Sequence, residues 1–304
     1  MFPILSGNVA SATAVTGNTE GIFGFGHDNS NNISMTSLVS DTGVVSSDVG
    51  GVGTARRMLA ATQYGGDKGI FGFGYTGAIQ SMTNLVSNTG VVASDTAGVG
   101  TARVGPAACS YGEDKGIFGF GVVSFWVYTG ITNLVSNAGV VASDVAGVGT
   151  IRYSVSACEY GGDKGIFGFG SGASKTGVTN LVSNVGVVAS DTAEVGTASY
   201  HKAACSYGGD KGIFGFGNDD TVISITNLVS NAGVVASDVA GVGTGRYFLA
   251  ACEYGGDKGI FGFGIPAPDY VTGVTNLVSN TGVVASDVAA VGTDRSYLSA
   301  CSFN

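Results

Sequence analysis

The side chains able to do chemistry in this 304-residue sequence are few and regularly placed. Arg56, Arg103, Arg152, Arg246 and Arg295 recur at one point of a repeated text, with Ser199 at the sixth place, and equivalent Asp residues follow a GVVxS string in the same repeats. A guanidinium can grip a carboxylate through two parallel hydrogen bonds. These arginines are therefore a possible channel-mouth ring: structurally they are expected to pair with Asp side chains or loop carbonyls, and functionally they could hold an anionic sugar. Five Cys (Cys109, Cys158, Cys205, Cys252, Cys301) share a single slot of the repeat. Equivalent slots of different repeats should lie beyond the roughly 7 Å Cα limit of a disulfide. Small buried thiols are expected, not bridges or a metal ring.

Enzyme chemistry is disfavoured by subtraction. Only His27 and His201 occur, in different repeats, so neither a Ser-His-Asp site nor a multi-His metal site is expected. Adjacent acids Asp219 and Asp220 suit a solvated loop better than an acid–base pair. No cofactor and no metal are expected, because the Gly-rich strings lack the Lys-Ser/Thr that follows a phosphate loop. With 13 Lys and Arg against 22 Asp and Glu, net charge −9, there is no basic footprint for nucleic acid. Without a run of about 18 apolar residues free of Gly, Ser or Asp, membrane insertion is not expected either.

What positions these residues is a repeat. GIFGFG occurs six times, starting at Gly21, Gly69, Gly116, Gly165, Gly212 and Gly259. Each copy leads through a variable stretch to TNLVSN-like and GVVASD-like text, then GVGTxR, then an apolar run and a Gly-rich turn before the next copy. Four segments follow: A (such as Tyr247–Tyr254), B (Gly259–Gly264), C (Ser224–Val229) and D (Gly233–Ser237). A period of 40 to 50 residues with four short apolar segments predicts all-β structure, a six-bladed β-propeller of four-stranded antiparallel blades. In segment B the two Phe should share one face and the glycines the other, so that blades interlock Phe to Gly.

The pattern resembles the kelch repeat, an Arg before an apolar strand and then a Gly-punctuated aromatic strand, over nearly the whole chain. It departs from kelch in having Gly-Phe-Gly for the double glycine, Leu85 and Leu228 for the third-strand Tyr, and no fourth-strand Trp. The wording also resembles repeat proteins of tailed phages and environmental viruses. That resemblance implies a virion structural protein with other virion proteins as partners; the alternative is a stand-alone glycan-binding lectin or a cellular protein-interaction scaffold. A virion or the cytoplasm is the expected location, because Met1–Thr16 lacks the basic start of a secretory signal and the cysteines are expected to be unpaired. Residues 18–304 are expected to form the propeller, closed when Ser296–Phe303 supplies segment A of the first blade. Residues 1–17 are then an arm, unless Ala10–Val15 takes that place.

Comparing the repeats locates freedom to vary. Thr132–Gly170 and Thr226–Gly264 differ at only Ile151/Gly245, Ser154/Phe248, Val155/Leu249 and Ser156/Ala250, all at the junction of D and A. The B-to-C connections vary as well, while the A-to-B and C-to-D turns stay constant. Both variable regions should share one face of the disc, the usual arrangement of recognition loops on a rigid scaffold. The aromatic residues there, Tyr75, Phe125, Trp126, Tyr128, Tyr153, Tyr200, His201, Tyr247, Phe248 and Tyr270, with Asp219 and Asp220, are the expected ligand-binding set. Their chemistry suits a glycan or a host surface protein.

Overall fold

The computed structural model describes residues 20–266 and 270–303, and these are all-β without a helix. Segments A, B and C of each repeat form a three-stranded antiparallel sheet, six in all, and a two-stranded hairpin joins Val122–Ser124 to Val127–Tyr128. In one sheet Ala250–Tyr254 pairs with Lys258–Gly262, which pairs with Thr275–Val278. The A-to-B turn is tight because Gly255 and Gly256 both take positive φ, 63° and 76°. The first sheet draws its outer strands from both ends of the chain: Ser299–Ser302 flanks Gly21–His27, whose other neighbour is Asn32–Val39. Residues 1–17 lie outside the described residues.

The expected fourth strand is not a strand. Segment D touches C at two isolated bridges, such as Val229↔Val235 and Thr226↔Val239, so four steps of D span three steps of C. One extra residue breaks the ladder as a bulge does. It bends D so that its Asp reaches the preceding repeat: Asp238 accepts hydrogen bonds from the Thr197 amide and hydroxyl.

Segment B also departs from a flat strand. Its first Phe is in the strand, but the second has left-handed φ, 61° to 65° across the six copies, followed by a Gly with φ above 100°. The two Phe therefore do not lie side by side on one face. Each first Phe packs edge-on against the second Phe of the preceding repeat, as in Phe118 with Phe73 at 5.1 Å and Phe23 with Phe263 at 5.1 Å. Its ring tip lies over the strand glycine of that repeat: a Cβ on Gly72 would stand 2.8 Å from Phe118 and one on Gly262 2.9 Å from Phe23. The interlock thus runs from the sixth repeat back onto the first. The A strands follow the same order of contact, ending with Ser299–Ser302 against Ala60–Tyr64. All twelve of these Phe are fully buried, each contributing roughly 2 to 3 kcal/mol of apolar burial.

Candidate functional site at the variable face

The two kinds of loop segregate to opposite ends of the sheets. At one end the constant turns meet: Asn88 donates to Asp67, and Asn231 to Asp210. At the other, the D-to-A junctions bridge the B-to-C connections, as Arg57↔Tyr75, Val104↔Val122, Tyr153↔Ser171, Tyr200↔Asn218 and Tyr247↔Ile265. The sequence-variable regions therefore share a face. They enclose an axial passage lined by the six A segments, about 170 Å³ in volume, with a second space of about 90 Å³ at its variable end.

That mouth is built from six equivalent residues, Met58, Gly105, Ser154, His201, Phe248 and Tyr297, all with left-handed φ between 52° and 62°. The left-handed turn aims four of the six amides, those of Met58, Gly105, His201 and Tyr297, at a neighbour's carbonyl. Met58 donates to Tyr297 at 2.8 Å, Gly105 to Met58 at 2.7 Å and Tyr297 to Phe248 at 3.0 Å. One half of the mouth carries small or flexible side chains and the other a wall of rings. His201 stands 3.6 Å from Phe248 by ring centroids, and Phe248 3.8 Å from Tyr297. Burial holds the His201 imidazole well below its usual pKa, so the ring is neutral at pH 7.

Outside the mouth the aromatic set continues as a belt. Tyr128 stacks on Tyr153 at 4.8 Å, Tyr153 meets Tyr200 at 6.3 Å, and Tyr200 meets His201 at 4.3 Å. Tyr247 joins through Phe248 at 5.0 Å. Tyr75 joins through Arg57, whose guanidinium lies 5.5 Å from the Tyr75 ring and 5.8 Å from that of Tyr297. Phe125 and Trp126 stand apart at the tip of the extra hairpin, 86% and 68% exposed and edge-to-face at 5.1 Å. Tyr270 is 53% exposed and is not among the belt contacts of the described residues. Asp219 and Asp220 form a local turn: Asp219 caps Thr221, and Asp220 pairs with Lys175 at 2.5 Å. His27 sits at the edge of this face, bridged to Ser296.

The arginine set is placed elsewhere. Arg56, Arg103, Arg152, Arg246 and Arg295 are fully buried, not open to a channel mouth, and each guanidinium lies 4.1 to 4.6 Å from the centre of the preceding repeat's second Phe. Their donors go to the framework. Arg152 bonds the Phe169 carbonyl at 2.8 Å, the Thr150 carbonyl at 2.9 Å and Asn180 Oδ1 at 2.6 Å. Arg295 makes a close ion pair, 2.9 Å to Asp48, whereas Arg56 to Asp95 is 3.8 Å. Buried under rings and spent on carbonyls and amides, these groups cross-link neighbouring repeats and are closed to an anion from solvent. The five thiols are likewise unpaired and buried, each Sγ close against a strand-B glycine of a neighbouring repeat.

Sequence reasoning missed Tyr297, Met58, Gly105 and Arg57. The position two after the recurring Arg holds a different residue in every repeat, and that column carried the signal. It was legible at Ser154/Phe248 and hidden at Tyr297, which reads as part of an ordinary strand. Compared with models of known protein families and with curated proteins, the chain matches none.

Proposed function

We propose that the protein is a six-bladed propeller of divergent kelch-like repeats, closed by its C-terminal strand, that acts as a non-enzymatic recognition module. Closure is supported by the return of the Phe-to-Gly interlock from the sixth repeat to the first, and by Asp48 accepting from the Thr293 amide at 2.7 Å. The single observation that carries the functional reading is the aromatic belt with its ring-walled mouth. It occupies the face where the repeats differ, on a framework that otherwise repeats nearly letter for letter. Rings presented this way give large contact area at low entropic cost, suited to stacking on glycans. The setting we propose, from the wording of the repeat, is the surface of a virion facing a host glycan.

A glycan array tests this. Wild type is expected to bind a defined subset, Trp126→Ala and Tyr247→Ala each to lose at least about tenfold, and a constant-face change such as Asn88→Ala to be silent. Retention of full binding in both aromatic variants, or binding lost only through the constant face, overturns it.

A further inference from the structure

Two residues break the repeat at one place: Ser199, where five copies have Arg, and Lys202, where the others have Leu59, Pro106, Val155, Leu249 and Leu298. Lys202 does not take over the work of the missing arginine. In four repeats that guanidinium donates to an Asn Oδ1, as Arg152 does to Asn180, yet Asn227 Oδ1 is buried without a partner and so is Lys202 Nζ. An ammonium that satisfies neither itself nor its neighbour is a cost to the fold. Local rules of packing are broken in this way where function gains from it.

Of the described residues that line the axial passage and the space at its mouth, Lys202 is the only Lys or Arg, and it lines both. It is 6% exposed, with Nζ 4.7 Å from the centre of the Phe169 ring. Burial lowers its pKa to about 8, which still leaves it charged at pH 7.

We propose that Lys202 makes the axial passage a binding site for a small monocarboxylate, its ammonium turning on the four-carbon stem from the Phe169 ring to the carboxylate. A charge-assisted hydrogen bond is stronger than the cation–π contact given up. The other five residues of the Lys202 collar are apolar, and beyond it Ala61, Ala108, Ala157, Ala204, Ala251 and Ala300 continue an apolar wall. That wall suits a hydrocarbon tail. The two spaces, about 170 and 90 Å³, are smaller than the roughly 300 Å³ at which sites for drug-sized molecules begin, so the tail is short. One unpaired ammonium balances one negative charge. Glu159 and Glu253 line the far end of the passage, so a second carboxylate on the ligand is disfavoured there.

Titration calorimetry on the full chain tests the assignment with hexanoate, hexanol and adipate. Hexanoate is expected to bind at least about tenfold tighter than the other two, and Lys202→Met to bring it level with hexanol. Thermal melts confirm that the variant folds, since Met resembles the apolar side chains that the other repeats carry at this slot. Lysine methylene proton NMR gives a readout that a merely structural lysine would not move. The Lys202 signals, identified by their loss in Lys202→Met, should lie upfield over the Phe169 ring and shift back as hexanoate saturates, while those of Lys68 and its counterparts stay still. Trp126→Ala should leave hexanoate binding unchanged, which keeps this site distinct from the glycan face. A hexanoate-to-hexanol ratio near one in wild type, or a ratio unchanged in Lys202→Met, overturns the proposal. So does adipate binding as tightly as hexanoate, or a Lys202 signal that stays upfield at saturation.

Discussion

Replacing Gly168 by alanine is expected to lower stability by about 3 kcal/mol or to abolish folding, although it adds a single methyl group. A Cβ at that position would lie 2.9 Å from Phe214 Cζ, 3.2 Å from Phe214 Cε1 and 3.0 Å from Thr179 Cγ2. None of these can retreat cheaply, because Phe214 is fully buried and wedged against Phe169 at 5.2 Å. Alanine also restricts the unfolded chain, an opposing gain of about 0.4 to 1 kcal/mol. The clash outweighs that gain. Gly50 supplies the control, since a Cβ there meets nothing within 4 Å and its φ is not positive. Urea unfolding should show a large drop in midpoint for Gly168→Ala and a shift within about 0.5 kcal/mol for Gly50→Ala. Equal midpoints would mean that the Phe-to-Gly interlock does not hold the sheets together.

The second large effect runs the other way. The double change Ser199→Arg with Lys202→Leu is expected to stabilise the protein by about 2 to 4 kcal/mol near neutral pH. Ser199 occupies the one place where the buried arginine is missing. Its absence leaves Asn227 Oδ1 buried without a partner, whereas the equivalent Asn180 accepts from Arg152. Lys202 reaches in from three residues along and parks its ammonium over Phe169, where a sixth guanidinium would lie, but Nζ finds no hydrogen bond. Leucine is what the sequence uses at the corresponding Leu59, Leu249 and Leu298.

The pH dependence separates the two parts of that gain. Burial lowers the Lys202 pKa from 10.5 to about 8, so the folded state disfavours its charged form. A depressed lysine costs stability in full below the folded value, and the cost is relieved as pH rises from about 8 toward 10.5. Half-buried tyrosines such as Tyr297 and Tyr153 have raised pKa and contribute the opposite trend, but they are common to both proteins. The stability advantage of the double variant should therefore shrink between about pH 8 and 10.5, by about 3 kcal/mol at most. Melting curves across this window would contradict the account if the advantage were flat or grew.

Much of the architecture was legible because the repeat states it six times. The glycines of GIFGFG and the aromatic rings set against them read directly as packing between neighbouring copies. The register of segment D was not legible: GVVASD has the alternation of a strand, and only the demand that its Asp reach Thr197 or its counterparts reveals the extra residue. The pairing of the arginines with loop carbonyls and, at Arg295, with an Asp was legible; their burial was not, since nothing in an isolated GVGTxR tells that the side chain folds back under a Phe. At the face, Trp126 and Tyr247 were found by comparing copies. Arg57 was passed over because its neighbour Arg56 accounted for the repeat.

The left-handed ring at the mouth bears on how such a face could change. Six side chains, from glycine to tyrosine, already occupy one backbone conformation there at φ between 52° and 62°. The strain of placing a side chain unbranched at Cβ in that region is about 1 kcal/mol, for glycine it is almost nil and for a β-branched residue larger, and the amides that hold the ring belong to the main chain. Codons at these six sites can therefore be exchanged as interchangeable cartridges in a fixed socket. A combinatorial library confined to them, and to glycine and residues unbranched at Cβ, would search binding specificities with little change in melting temperature.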